Sequence, residues 1–211
     1  MKTVHIILCI AFLMIACKEK KQTEPQPQPV IPTEKIIQLK TSFGTIYIWL
    51  YKETPQHRKN FLALADTNYF DGTTFHRIIP GFVIQGGDPN SKDSFAANDG
   101  NGGPNYTIPA EIIDTGKFKH VYGAIGAARN NNPLKASNGS QFYIVIPKAG
   151  YPSLNGLYTV FGVVIKGMDV AEKIVVQPRD GNDRPYTNVA MDIDVIEKTL
   201  DQLKTEFNFI P

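Results

Sequence analysis

Arg77 stands in an apolar and aromatic setting that a guanidinium rarely occupies without a purpose. Residues 75–88 read Phe-His-Arg-Ile-Ile-Pro-Gly-Phe-Val-Ile-Gln-Gly-Gly-Asp. From Thr73 to Ile79 every residue except His76 and Arg77 is β-branched or aromatic, which predicts a strand. Pro80-Gly81 predicts a turn, and the extended pattern resumes from Phe82 to Gln85 before Gly86-Gly87 ends it. A charge in such a run cannot be buried unpaired. Either a carboxylate satisfies Arg77 at a strand end, or the side chain is held over a cleft to donate hydrogen bonds to a ligand. A second polar set lies among β-formers at residues 138–146, Asn-Gly-Ser-Gln-Phe-Tyr-Ile-Val-Ile. Alternation puts Gln141 and Tyr143 on one face of that strand, Phe142 and Ile144 on the other. Other chemistries find little support. Ser140 has no obvious base, and His57, His76 and His120 lack metal-ligand spacing, reading as surface, cleft support and loop. The glycine-rich run at 99–104 is followed by no Lys-Ser/Thr pair, which excludes a phosphate loop. No cofactor or metal is expected.

Both runs resemble the two signatures of the cyclophilin-type peptidyl-prolyl cis-trans isomerases. The likeness continues through residues 106–111, Tyr-Thr-Ile-Pro-Ala-Glu, and residues 154–164, so that it covers about residues 35–197. It implies a closed, eight-stranded antiparallel barrel capped by two helices, a mainly β fold. By resemblance, Arg77, Phe82 and Gln85 are the catalytic residues. His76, Val83, Ala128, Arg129, Gln141, Tyr143, Leu154 and Tyr158 match positions that bind substrate, with His76 and Tyr158 near the rim. Val83 stands where many relatives carry Met, Tyr143 where many carry Phe, and Arg129 where many carry Asn. Tyr151-Pro152-Ser153 replaces a Trp found in many eukaryotic relatives, so cyclosporin binding is expected to be weak. The loop at 89–105 is several residues longer than the family usually has.

The implied chemistry is simple. An X-Pro bond turns slowly because its amide is conjugated, with a barrier of about 18–20 kcal/mol. A catalyst must prefer the twisted amide over both planar forms, and needs no nucleophile, acid or metal to do so. A guanidinium donor over the prolyl nitrogen, whose lone pair appears only on twisting, supplies that preference. The alternative is a non-catalytic module that holds Pro-containing segments in the same pocket.

The elements that must position these residues can be read from pattern. Residues 36–39 and 45–50 predict a hairpin around a turn at 41–44. Thr54-Pro55 predicts a helix start with a capping hydroxyl, continuing to about Asp66 with Phe61, Leu62, Leu64 and Ala65 on its apolar face and His57, Arg58 and Lys59 on its solvated side. Gly167-Met168-Asp169 opens a second helix to about Val175. Residues 191–197 alternate as a last strand, and Leu200, Leu203 and Phe207 fit a short terminal helix.

The chain has 211 residues, a net charge of +2, 42% hydrophobic and 20% charged residues. That composition fits one soluble domain with no field strong enough to suggest nucleic acid. Cys9 and Cys17 are the only two cysteines, so the folded domain has no disulfide framework. Lys2 precedes an apolar stretch from Val4 to Ala16 that is too short to span a membrane and ends Leu-Met-Ile-Ala-Cys, like a bacterial lipobox. Residues 1–16 are expected to be a signal peptide and Cys17 a lipidation site. Residues 17–34 would be a disordered Pro-rich tether that could reach roughly 50 Å at about 3.1 Å per residue. A domain over residues 35–198 and an extension over 199–211 follow. The expected protein is a monomer that binds Pro-containing polypeptides and is lipid-anchored in a bacterial cell envelope, on its periplasmic or surface face.

Overall fold

Alternation along the strands of this chain builds two apolar layers, one on each face of a single curled sheet. The computed structural model describes residues 31–113 and 115–211. Within the unit Pro32–Pro211 the order is β1 (Thr33–Thr41), β2 (Gly44–Leu50), α1 (Pro55–Asp66), β3 (Thr73–Thr74), β4 (Arg77–Ile78), β5 (Val83–Gly86), β6 (Thr107–Ile108), β7 (Ala124–Ala127), β8 (Ser137–Asn138), β9 (Phe142–Val145), β10 (Val160–Lys166), α2 (Met168–Val175), β11 (Ala190–Thr199) and α3 (Leu200–Phe207). The expected signal segment, Cys17 and residues 17–30 of the expected tether lie outside the described residues.

Nine strands form one sheet in the order β3-β11-β1-β2-β10-β7-β9-β5-β4, and β6 pairs with β8 separately. Every ladder is antiparallel. The expected closed eight-stranded barrel is therefore not what forms. The two edges of the sheet, β3 and β4, are separated in the chain only by Phe75 and His76, so the sheet must curl until its edges lie together. They do not complete a ladder, because amides of this segment are used elsewhere. Phe75 N–H donates to the Val189 carbonyl at 2.9 Å and Ile78 N–H to the Asp183 carbonyl at 2.8 Å. This also explains why the predicted strand over 73–79 splits in two.

The inner layer includes Ile37, Leu39, Ile46, Ile48, Phe142 and Ile144, covered by Phe61 and Leu62 of α1 and Val170 and Ile174 of α2. Burying each such side chain contributes about 1.5–3 kcal/mol. The outer layer runs from Val83, Tyr143 and Val145 to Trp49 and on to Leu203 and Phe207 of α3. Besides the two helices expected to cap the barrel, the short terminal helix expected from Leu200, Leu203 and Phe207 forms as α3, and it has a full capping box. The Thr199 hydroxyl accepts from Gln202 N–H at 3.2 Å while the Gln202 side chain accepts from Thr199 N–H at 2.9 Å.

Helix α1 starts where expected, with Pro55 in its first turn, but its cap differs. The Thr54 hydroxyl donates to the Tyr51 carbonyl and makes no cap bond. Instead the Glu111 carboxylate accepts from the N–H groups of Gln56 and His57 at 3.0 and 2.9 Å. His57, expected on the solvated side with Arg58 and Lys59, is 2% exposed. Its Nδ1 contacts Glu111 at 2.6 Å and its Nε2 lies 3.0 Å from the Ser137 hydroxyl. Of the three, Lys59 is exposed and Arg58 half-buried.

Candidate active site

The β4–β5 hairpin sets the geometry. Phe82 N–H bonds back to the Ile79 carbonyl at 3.0 Å and Gly81 has φ +75°, the arrangement of a turn with Pro at its second position and Gly at its third. The register then places Arg77 opposite Gln85, and Gln85 in turn opposite Tyr143 on β9. Three side chains from three strands so converge on one patch of the outer face.

A directed chain of amides holds Arg77. The carbonyls of Gly100 and Gly102 can only accept, so they fix the Gln141 amide nitrogen, which donates to them at 2.9 and 2.8 Å. The Gln141 oxygen is thereby turned toward Gln85, whose Nε2 donates to it at 3.0 Å. The Gln85 oxygen in turn accepts from Arg77 Nη1 at 3.3 Å. Among the described residues no carboxylate pairs with Arg77, and its guanidinium carbon lies 5.9 Å from the centre of the Phe82 ring. Of the two arrangements open from sequence, this is the cation held over a cleft.

Beside it is a cavity of about 130 Å³. Phe82, Val83, Ala128, Tyr143 and Leu154 give its apolar surface, with Arg77, Gln85, Arg129 and Tyr158 around it. Nine of the eleven expected site residues thus meet at one place. Gln141 stands behind Gln85 and is 4% exposed. His76 is not at the rim; it is 5% exposed, its ring nitrogens find no hydrogen-bond partner among the described residues, and burial lowers its pKa. It borders a separate groove on the far side of Arg77. Arg129, at the edge of the cavity, donates to the Leu157 and Asn130 carbonyls at 3.1 Å each and lies 4.6 Å over the Tyr158 ring.

Three residues that matter here were not among the expected site residues. His120 is buried, with Nδ1 3.0 Å from the Asn155 oxygen and Nε2 2.9 Å from the Tyr143 hydroxyl. The Asn155 oxygen only accepts, so His120 carries its proton on Nδ1 and Nε2 accepts from Tyr143. Burial lowers the His120 pKa and raises that of Tyr143, so both stay neutral around pH 7. Gly126 gives the Tyr143 ring its room, since a Cβ there would collide with the ring. Tyr151, in the segment expected to lack a flat aromatic contact, packs on Phe82 with ring centres 4.5 Å apart. The hydroxyl of Tyr143 was the available signal for His120, because a buried phenol needs a partner.

A barrel-like curled sheet with an arginine and a small apolar pocket on its outer face defines a class, and the comparisons agree with it. The family model described as cyclophilin type peptidyl-prolyl cis-trans isomerase/CLD matches residues 36–195, and the chain belongs to that family. It is a peptidyl-prolyl cis-trans isomerase. Peptidyl-prolyl cis-trans isomerase-like 1 of Neurospora crassa is 39% identical over 155 residues, 72% of this chain and 88% of its own. A peptidyl-prolyl cis-trans isomerase of Arabidopsis thaliana is 38% identical over 159 residues, 74% of this chain and 91% of its own. A cyclophilin type isomerase of Cryptosporidium parvum, crystallised in the presence of the dipeptide Ala-Pro, has a TM-score of 0.67 and 30% identity over 78% of this chain and 99% of its own.

Proposed function

We propose that this isomerase acts on X-Pro bonds of exported proteins, with Arg77 as the group that favours the twisted amide. The observation that carries this reading is the Arg77 guanidinium, paired with no carboxylate among the described residues and aimed by Gln85 beside an apolar cavity of about 130 Å³. The proline ring enters that cavity against Phe82, Val83, Tyr143 and Leu154. Apolar contact holds the ring equally in the cis and trans forms and by itself gives no acceleration. As the amide twists, the prolyl nitrogen gains a lone pair and an Arg77 N–H donates to it. Each ~1.4 kcal/mol by which that bond favours the twisted form over the planar ones gives about tenfold in rate. Gln85 and Gln141 position the arginine, and the Arg129 backbone carbonyl is available to the peptide.

Exchange between the cis and trans forms of an Ala-Pro peptide, followed by NMR with the intact chain and with Arg77→Ala, tests the mechanism. The variant is expected to lose at least about a hundredfold in kcat/KM, the equivalent of some 3 kcal/mol, while still binding peptide. Arg77→Lys is expected to rescue little, because an ammonium lacks the planar fork. Acceleration that survives in Arg77→Ala would remove Arg77 from the mechanism. No acceleration by the intact chain, with binding retained, would instead favour the non-catalytic peptide-holding module.

The setting follows from the N-terminal residues alone. Lys2, the apolar stretch up to Ala16 and the placement of Cys17 support an acylated monomer tethered to a bacterial envelope membrane, where Pro-containing segments of newly exported proteins are the clients. Labelled palmitate should enter the full chain and be absent from Cys17→Ser. Equal labelling of both, or of neither, counts against the anchor.

A further inference from the structure

The isomerase pocket uses only one side of Arg77. On the other side is a larger half-open groove of about 590 Å³ that shares Arg77 and Gln85 with the pocket. One wall is the segment 96–100 of the long loop, and the other is the turn at 180–184. Without the long loop, the first wall would not exist.

Both walls are fixed. The loop is anchored at its base by Asp88, which is fully buried and accepts from Asn90 N–H at 2.8 Å and Gly102 N–H at 3.1 Å. Its far end is anchored by the same Gln141 bonds to Gly100 and Gly102 that orient Gln85. The opposite turn is closed by Asp180, whose carboxylate accepts from Asn182 N–H and Arg184 N–H at 2.8 and 2.9 Å. The bond from Ile78 N–H to the Asp183 carbonyl attaches that turn to β4 directly beside Arg77. A strut spans the two walls: Arg184 Nε donates to Asp99 Oδ2 at 2.7 Å, with the two side chains 16% and 5% exposed. Such a buried, hydrogen-bonded pair keeps its geometry where a surface pair would not.

The lining chemistry suits extended polypeptide. Ala96 and Ala97 present small, exposed side chains, and Asn182 and Asp180 offer donors and acceptors. Two arginines and two aspartates cancel in charge, so the groove has no reason to select an acidic or a basic ligand. We propose that the long loop builds a second subsite beside Arg77, which takes the two or three residues on one flank of the X-Pro bond as an extended, uncharged, small or polar segment. This rests on the isomerase reading of the adjoining pocket. It gives the longer loop a role in substrate choice, since a chain seated in the groove and the pocket together is drawn taut across the guanidinium.

The test compares three peptides: acetyl-Ala-Pro-amide, the same core lengthened by Gly-Ser before Ala, and the same core lengthened by Gly-Ser after Pro. Cis–trans exchange by NMR gives kcat/KM for each. One lengthened peptide, and only one, is expected to exceed the core by about tenfold, as one or two net hydrogen bonds would give. That ratio should fall to about one in Ala97→Trp, which fills the groove without removing a bond, and in Arg184→Ala, which removes the strut. Thermal unfolding of each variant shows whether it is folded. No gain from either extension, or a gain that persists in folded Ala97→Trp, overturns the subsite. If the core peptide is not accelerated at all, the isomerase reading fails on its own. Chemical-shift titration of the lengthened and core peptides then decides the subsite by the same ratio of affinities.

Discussion

Tyr143 shows how one atom changes what a pocket requires. The aromatic ring needed for the apolar surface could be Phe, but a hydroxyl placed at that depth must be satisfied. His120 accepts it, Asn155 holds His120, and Gly126 makes room for the ring. Tyr143→Phe is therefore expected to destabilise the fold by about 1–3 kcal/mol, because it leaves the buried Nε2 of His120 without a donor. The pocket keeps its shape, so kcat/KM for an Ala-Pro peptide should change by no more than a few fold. Urea unfolding of Tyr143→Phe, His120→Leu and the double variant measures the coupling between them. Additive losses would mean that the bond contributes nothing. The placement of Arg77 beside a cleft was open to reading from its apolar setting. His120 and Gly126 were not, because nothing local marks a histidine in a loop or a glycine in a run of small residues as the neighbours of a distant tyrosine.

At the scale of elements, the clearest patterns in the sequence became structure. These were the opening hairpin, the alternation of β9, both central helices, and β11 followed by α3. The misread parts share one cause: partners far away in the chain. His57 follows the polar face of α1 by periodicity, yet Glu111 and Ser137 lie 54 and 80 residues away and bury it. The cap of α1 likewise comes from Glu111 and not from Thr54. This clamp predicts a pH dependence. Burial lowers the pKa of His57 below its ordinary value, outweighing the carboxylate beside it, and burial also lowers those of His76 and His120. Glu111 is lowered too: burial alone would raise it, but the N–H groups of Gln56 and His57 and the His57 ring prevail. Below about pH 6.5 the unfolded chain takes up protons that the native histidines refuse, so stability falls with pH by up to about 1.4 kcal/mol per unit for each histidine. The Glu111 contribution is present above its unfolded pKa and is lost as pH falls further, through its folded value. The urea midpoint should drop from pH 7.5 to pH 5.5, and His57→Gln should shallow that drop. A midpoint that is flat or rises on acidification would refute this account.

At the scale of the whole molecule, the strand count could not be read because two-residue strands such as β3, β4, β6 and β8 carry almost no periodicity. Closure could not be read because it depends on where the amides of Phe75 and Ile78 find their acceptors. The two-layered build was legible, since the alternation that fills the inside of the sheet with Ile37, Leu39, Phe142 and Ile144 also sets Tyr143 and Val145 outside. One feature of that build bears on how the molecule is made. Strand β11 lies between β1 and β3, with Thr33 paired to Thr199 and Met191 to both Thr41 and Thr73. The seam between the first strand and an early edge is thus stitched by the strand that comes last in order among the described residues. Until it is made, β1 can pair on one side only, and its other row of N–H and C=O groups stays open to water and to other chains. A long-range seam of this kind forms late and slowly. This isomerase cannot close the seam of its own sheet until β11 has been made.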